Sequence, residues 1–132
     1  MAGVEKITEN SMDKAKKDLG DLLNTLRRTL ELTQEDVADQ IGCSLSFYSA
    51  MEVGRKPVPP ELLHKLIMKL KPGKDDYRKI NKLAARLQKE IRIRTNELDD
   101  ERAEMVMLLA RKIPELDKPD LTRLRAVLEP KV

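Results

Sequence analysis

Three features of this 132-residue chain predict an all-α fold. Aromatic residues make up only 2% and charged residues 37%, with Leu, Lys, Arg and Glu abundant, a composition that favours packed helices over a sheet-based core. Leu19, Leu22, Leu23, Leu26 and Leu30 recur at the spacing of one helical face. Between Leu32 and Pro57, Thr33 and Ser44 each stand immediately before a helix-compatible run, where a hydroxyl can accept from an unpaired N–H.

The elements follow in order. Met1 to Lys17 is polar without a clear stripe and reads as a frayed arm or a poorly anchored helix. Helix 1 carries the leucine face from Leu19. Helix 2 is expected over about Gln34–Ile41, with Val37, Ala38 and Ile41 inward, and Gly42 ends it where left-handed backbone angles are tolerated. Helix 3 runs from about Leu45 to Glu52 with Tyr48 and Met51 inward. Two short helices joined by so tight a turn have the grammar of a helix-turn-helix. Pro59-Pro60 suits the start of helix 4, where a missing N–H needs no partner, and Leu62, Leu63, Leu66, Ile67 and Leu70 are its inward set.

Lys71-Pro72-Gly73-Lys74 stops that helix and turns the chain. Helix 5 has Asp75 and Asp76 in its first turn and an inward stripe of Tyr77, Ile80, Leu83, Ala84 and Leu87, with Lys74, Arg78, Lys82 and Arg86 four residues apart on another face. In Ile91-Arg92-Ile93-Arg94-Thr95, apolar and basic residues alternate with period two, which predicts a short β-strand whose partner would be its copy in a second subunit. Asp99-Asp100 begins helix 6, with Ala103, Val106, Met107 and Ala110 on one side and Pro114 closing it. Met105, Leu108 and Leu109 widen its apolar surface toward burial on two sides. Pro119 starts helix 7, with Leu121, Leu124, Val127 and Leu128 inward. This C-terminal helical hairpin either packs on the chain's own core or forms a dimer interface.

Several function classes lose support. One cysteine permits no intrachain disulfide, no Cys/His cluster has metal-ligand spacing, and no glycine-rich phosphate loop or carboxylate dyad occurs, so an enzyme, a metal and a cofactor are not expected. No signal-peptide core or run of eighteen apolar residues is present, which predicts a cytoplasmic protein that does not span a membrane. Cys43 is expected as a packed thiol, with redox sensing the lesser reading. His64 reads as a solvated helix residue.

Charge is unevenly distributed. Residues 1–54 hold 6 Lys/Arg and 10 Asp/Glu, residues 55–94 hold 13 and 4, and residues 95–132 hold 7 and 9. Cations are therefore concentrated just after helix 3, where a solvated face is the plain reading and phosphate contact the functional one.

Arg27, Leu32-Thr33-Gln34 with Val37-Ala38, the serine-bearing run Ser44 to Met51, and Glu52-Val53-Gly54-Arg55 together resemble the lambda-repressor-like Xre family of bacterial and phage DNA-binding domains, over about residues 18–71. The run Ser49 to Pro59 is similar to a prophage and mobile-element subgroup whose members carry a short strand and helical tail. With the polar residues 1–17 as a flexible arm, the resemblance implies a five-helix DNA-binding domain over 18–88 and an oligomerisation segment over 89–132. It further implies that Thr33 and Gln34 meet a phosphate, that Arg27 and Glu52 form a partly buried ion pair, and that Ser44, Leu45, Ser46, Phe47, Ser49 and Ala50 surround the major-groove positions.

Leu45, Ser46 and Ala50 cannot make a bidentate pair with a base, so readout is expected to lean on serine hydroxyls, thymine-methyl contacts and DNA shape. Phe47 is expected exposed, core packing being the competing reading. Arg55 and Lys56 are the leading phosphate-contact residues, and Lys65, Lys69, Lys71 and Lys74 weaker ones. Dimerisation is assigned to Ile91, Ile93, Val106 and Met107. The expected function is a homodimeric transcriptional regulator, a repressor on an inverted-repeat operator of double-stranded DNA. The alternative is an antitoxin or adaptor whose C-terminal segment binds a toxin, antirepressor or other protein partner.

Overall fold

A computed structural model of the chain describes residues 2–131, with side-chain environments from Ser11 onward. Seven α-helices occur among the described residues: α1 (Ala2–Thr29), α2 (Gln34–Ile41), α3 (Leu45–Glu52), α4 (Pro60–Leu70), α5 (Lys74–Leu87), α6 (Asp100–Lys112) and α7 (Lys118–Leu128). Short 3-10 turns at Thr95–Glu97 and Ile113–Glu115 flank α6. The chain divides into two units, one of which is Glu90–Glu129.

The first unit, α1 to α5, closes around a single core. Leu19 and Leu23 of α1, Val37 and Ile41 of α2, Tyr48 and Met51 of α3, Leu63, Leu66 and Leu70 of α4, and Ile80 and Ala84 of α5 are all buried in it. Local signals set the element ends. Thr33 Oγ1 accepts the Asp36 N–H at 3.0 Å while Asp36 Oδ2 accepts the Thr33 N–H at 3.0 Å, a complete capping box. Gly42 ends α2 at φ 79°, and Ser44 Oγ accepts the Phe47 N–H at the start of α3. Pro60 opens α4.

Helix α1 reaches further back than its leucines predict. The arm expected over residues 1–17 is helix from Ala2, because Ala15 is buried and Ser11 Oγ accepts from Arg86 Nη2 of α5 at 2.6 Å. The same helix passes close to the end of α3. A Cβ on Gly20 would stand 2.2 Å from the Glu52 carbonyl oxygen, and one on Gly54, itself at φ 82°, would stand 2.9 Å from Lys17 Cα. Only hydrogen at these two positions lets the backbones approach this closely.

The second unit has a different character. Its helices are well capped, with Asp99 Oδ1 accepting the Arg102 N–H and Asp117 Oδ1 the Asp120 N–H. Yet none of its described residues is buried. The strand expected over Ile91 to Thr95 is absent: the segment is irregular, leads into the 3-10 turn, and leaves Ile91 79% and Ile93 54% exposed. Alternation supplies a two-faced surface but not the second strand on which strand hydrogen bonding depends. No helix of the described residues is long and apolar enough to cross a membrane.

Candidate nucleic-acid interface

The site is assembled around one buried carboxylate. Glu52, the last residue of α3, is 3% exposed, and its two oxygens accept five hydrogen bonds from three helices. Arg27 of α1 donates from Nε to Oε1 at 2.7 Å and from Nη2 to Oε2 at 3.2 Å. Tyr48 Oη, one turn earlier in α3, donates to Oε1 at 2.9 Å, Asn24 Nδ2 to Oε2 at 3.1 Å, and Gln34 Nε2 at the start of α2 to Oε2 at 2.6 Å. Arg27 Nη1 also donates to the Leu32 carbonyl at 2.7 Å, tying down the turn between α1 and α2.

Burial alone would raise the Glu52 pKa, but the hydrogen bonds from Arg27, Gln34, Asn24 and Tyr48 outweigh it and hold the carboxyl below its ordinary range. The Arg27 guanidinium moves up, chiefly through its hydrogen bond to Glu52. The Tyr48 hydroxyl also moves up, because of burial first and the adjoining carboxylate second. The network is thus ionised Arg⁺ on ionised Glu⁻, with every buried side-chain polar atom of the described residues partnered. It fixes α2 and α3 against α1.

On this frame the sequence-designated residues fall into three groups. Thr33, Ser44, Leu45, Ser46, Arg55 and Lys56 are exposed. Leu45 is 47% exposed at the first turn of α3 and borders an open depression of about 560 Å³ that Arg28, Thr33 and Gln34 also line. Although Thr33 and Ser44 use their oxygens as caps, each hydroxyl proton can still be donated outward. The first N–H groups of α2, at Gln34 and Glu35, have no acceptor within an α-helix.

Phe47 and Ser49 form the second group and are half-buried. Rather than standing exposed, Phe47 packs on the margin of the core, and Lys56 Nζ lies 5.6 Å from its ring centroid, a cation–π contact that links helix and loop.

Two residues of the third group depart from the sequence-based expectation. Ala50 is only 5% exposed and does not belong to the groove-facing set. The chain after α3 turns back on the helix end, the N–H groups of Arg55 and Lys56 donating to the Ala50 carbonyl at 3.0 and 3.3 Å. Gln34 is at the expected helix start, but its side-chain amide is spent on Glu52, so any phosphate contact there falls to its backbone N–H. Asn24 and Tyr48, the further donors to Glu52, were not picked out as polar partners. Their signals were i, i+3 from Arg27 and i−4 from Glu52.

Ile91, Ile93 and Met107 stand exposed and Val106 half-buried in the second unit. The described residues contain no group of His, Cys, Asp and Glu side chains that could hold a metal ion. Burial pushes the Cys43 thiol up, away from the reactive thiolate.

Residues 18–70 match a family model described as a helix-turn-helix domain. No curated protein and no solved structure matches the chain. The matched span covers α2, its Gly42 turn and α3. Two short helices joined at a left-handed Gly42 are the arrangement that this family model describes.

Proposed function

We propose that this protein is a sequence-specific, double-stranded-DNA-binding transcriptional regulator of the Xre type, a repressor from a phage, prophage or mobile element, acting in the cytoplasm as a homodimer. The observation that carries the DNA reading is the position of α3. It is locked at its C-terminal end by the Glu52 network, presents Ser44, Leu45 and Ser46 outward at its N-terminal end, and is followed by a loop holding Arg55 and Lys56 exposed. A helix about 10–12 Å across fits a major groove of about 12 Å. The caps and the loop cations supply phosphate contacts on either side.

With short hydroxyl and apolar side chains at its leading turn, α3 reads thymine methyls and groove shape more than bidentate base edges. Moderate affinity per half-site follows, and a dimer multiplies it. Ten large apolar side chains of the second unit, Met105, Leu108, Val127 and Leu128 among them, stand 39–79% exposed. At about half exposure they present roughly 500 Å² of apolar surface, on the order of the apolar share of the ~800 Å² that each partner gives to a standard interface. Exposed apolar surface of that extent supports pairing with a second copy. The same exposed surface also favours a second reading, an antitoxin or adaptor that seats a different protein there.

Selection of bound duplexes from a random pool tests the proposal. Enriched sequences should contain two inverted half-sites about 34 Å apart, one helical turn. Recovery of single, unpaired half-sites would remove the homodimer, and no enrichment at all would remove sequence-specific binding.

A further inference from the structure

We propose that the exposed face of α5 is a second surface for the phosphate backbone of duplex DNA, distinct from α3 and its loop. Lys74, Lys79 and Lys82 of α5, and Lys89 two residues beyond its end, are all exposed, and none has an ion-pair partner among the described residues. Arg78 and Arg86 extend the same cationic face, Arg86 already donating to Ser11. The acidic residues of this helix, Asp75 and Asp76, sit in its first turn, where the helix dipole accounts for them. Like charges one turn apart disfavour a helix. A face kept only for solubility intersperses both signs.

The same chain supplies the contrast. On α6 and α7 four of the six cations, Arg102, Lys112, Arg123 and Arg125, are paired three or four residues along with Asp or Glu, in Arg102–Asp99, Lys112–Glu115, Arg123–Asp120 and Arg125–Glu129. Lys74, Lys79, Lys82 and Lys89 are exposed without such pairing among the described residues, an arrangement that calls for an external polyanion. Three features favour nucleic acid over other polyanions. The cations recur about 6 Å apart along the helix, suiting an evenly charged ligand. No large apolar side chain of α5 is exposed, so the face has nothing to insert into a lipid surface. It also lacks the aromatic or aliphatic anchor on which protein interfaces depend. The inference shares with the proposed function only the assumption that the protein meets duplex DNA.

The test is the salt dependence of full-length protein binding to a mixed-sequence duplex of about 40 base pairs, followed by fluorescence anisotropy. A combined Lys74→Gln, Lys79→Gln, Lys82→Gln and Lys89→Gln variant should bind at least tenfold more weakly at low salt. The slope of log K against log salt should become shallower by about 2 to 4. The matching Lys→Arg variant should keep the wild-type slope, and unchanged helical circular dichroism shows that the fold survives. A glutamine variant with wild-type affinity and slope overturns the inference. If the separate Arg55→Gln, Lys56→Gln variant loses affinity in that experiment, the helix-turn-helix reading stands without it. Failure of the wild type to bind any duplex overturns both. Wild-type binding to phosphatidylserine vesicles that the glutamine variant loses, with DNA binding intact, overturns it in favour of a membrane surface.

Discussion

The two units of this chain solve the same problem in opposite ways. Helices α1 to α5 bury their apolar faces in one another and enclose an ion pair, whereas α6 and α7 have caps, paired surface charges and no buried residue. A helix apolar over most of its circumference is ordinarily an interior helix. Met105, Val106, Met107, Leu108 and Leu109 run consecutively around α6, four of them exposed. The first unit thus encloses a core of its own, and the second leaves large apolar side chains exposed. The contrast separates two kinds of sequence information: residues that specify a core, and residues that the proposed function assigns to association.

The sharpest way to break the contrast is to attack the centre of the first unit. Glu52→Ala leaves Arg27 buried beside an empty site and should cost about 3–5 kcal/mol, read as a large drop in the melting temperature of the domain. Its pH counterpart follows from the lowered carboxyl pKa. A carboxyl held below its ordinary value near 4.5 stabilises the fold fully above that value, and the contribution is lost as pH falls through the lower native value. Acid unfolding should therefore be shallower in Glu52→Gln than in the wild type, monitored by circular dichroism between about pH 5 and pH 2.

Next in size is the proposed association surface. Leu108→Glu or Val127→Glu should leave the melting of the first unit unchanged while weakening self-association by ten- to a hundredfold in sedimentation experiments, about 1.4–2.8 kcal/mol. Loss of first-unit stability in either variant would contradict the division of labour. Gly20→Ala sets two effects against each other. Alanine gains about 1 kcal/mol in helix propensity, but its Cβ would meet the Glu52 carbonyl at 2.2 Å, and overpacking of this kind costs about 1–3 kcal/mol. Since the obstacle is backbone on both sides, a net loss is expected by chemical denaturation. The smallest effect is at the cap: Thr33→Ala should cost about 1 kcal/mol and weaken DNA binding modestly.

Legibility in the sequence tracked the locality of each signal. The spans of α2 and α3, the proline starts of α4 and α7 and the aspartate start of α6 agree with the chain because caps, glycines and prolines act within one turn. The strand at Ile91 to Thr95 failed because alternation is local while strand pairing is not. Ala50 escaped because its burial, at 5% exposure, lies beside the inward stripe of Tyr48 and Met51 and not within it. Gly20 was passed over because, within the leucine helix, the sequence gives no sign of how closely the end of α3 approaches. The pairing of Arg27 with Glu52 came from family resemblance, but Gln34 as a third helix's contribution to that carboxylate needed coordinates. Tyr48 was legible as an inward residue and not as a hydrogen-bond donor.

The central claim, that the leading turn of α3 lies in the major groove of DNA, is tested most directly by cleavage from the helix itself. An iron chelate tethered to Ser46→Cys, in a Cys43→Ala background, should cut a selected duplex at positions centred within each half-site. Cleavage that is absent in a bound complex, or that falls outside the half-sites, would contradict it.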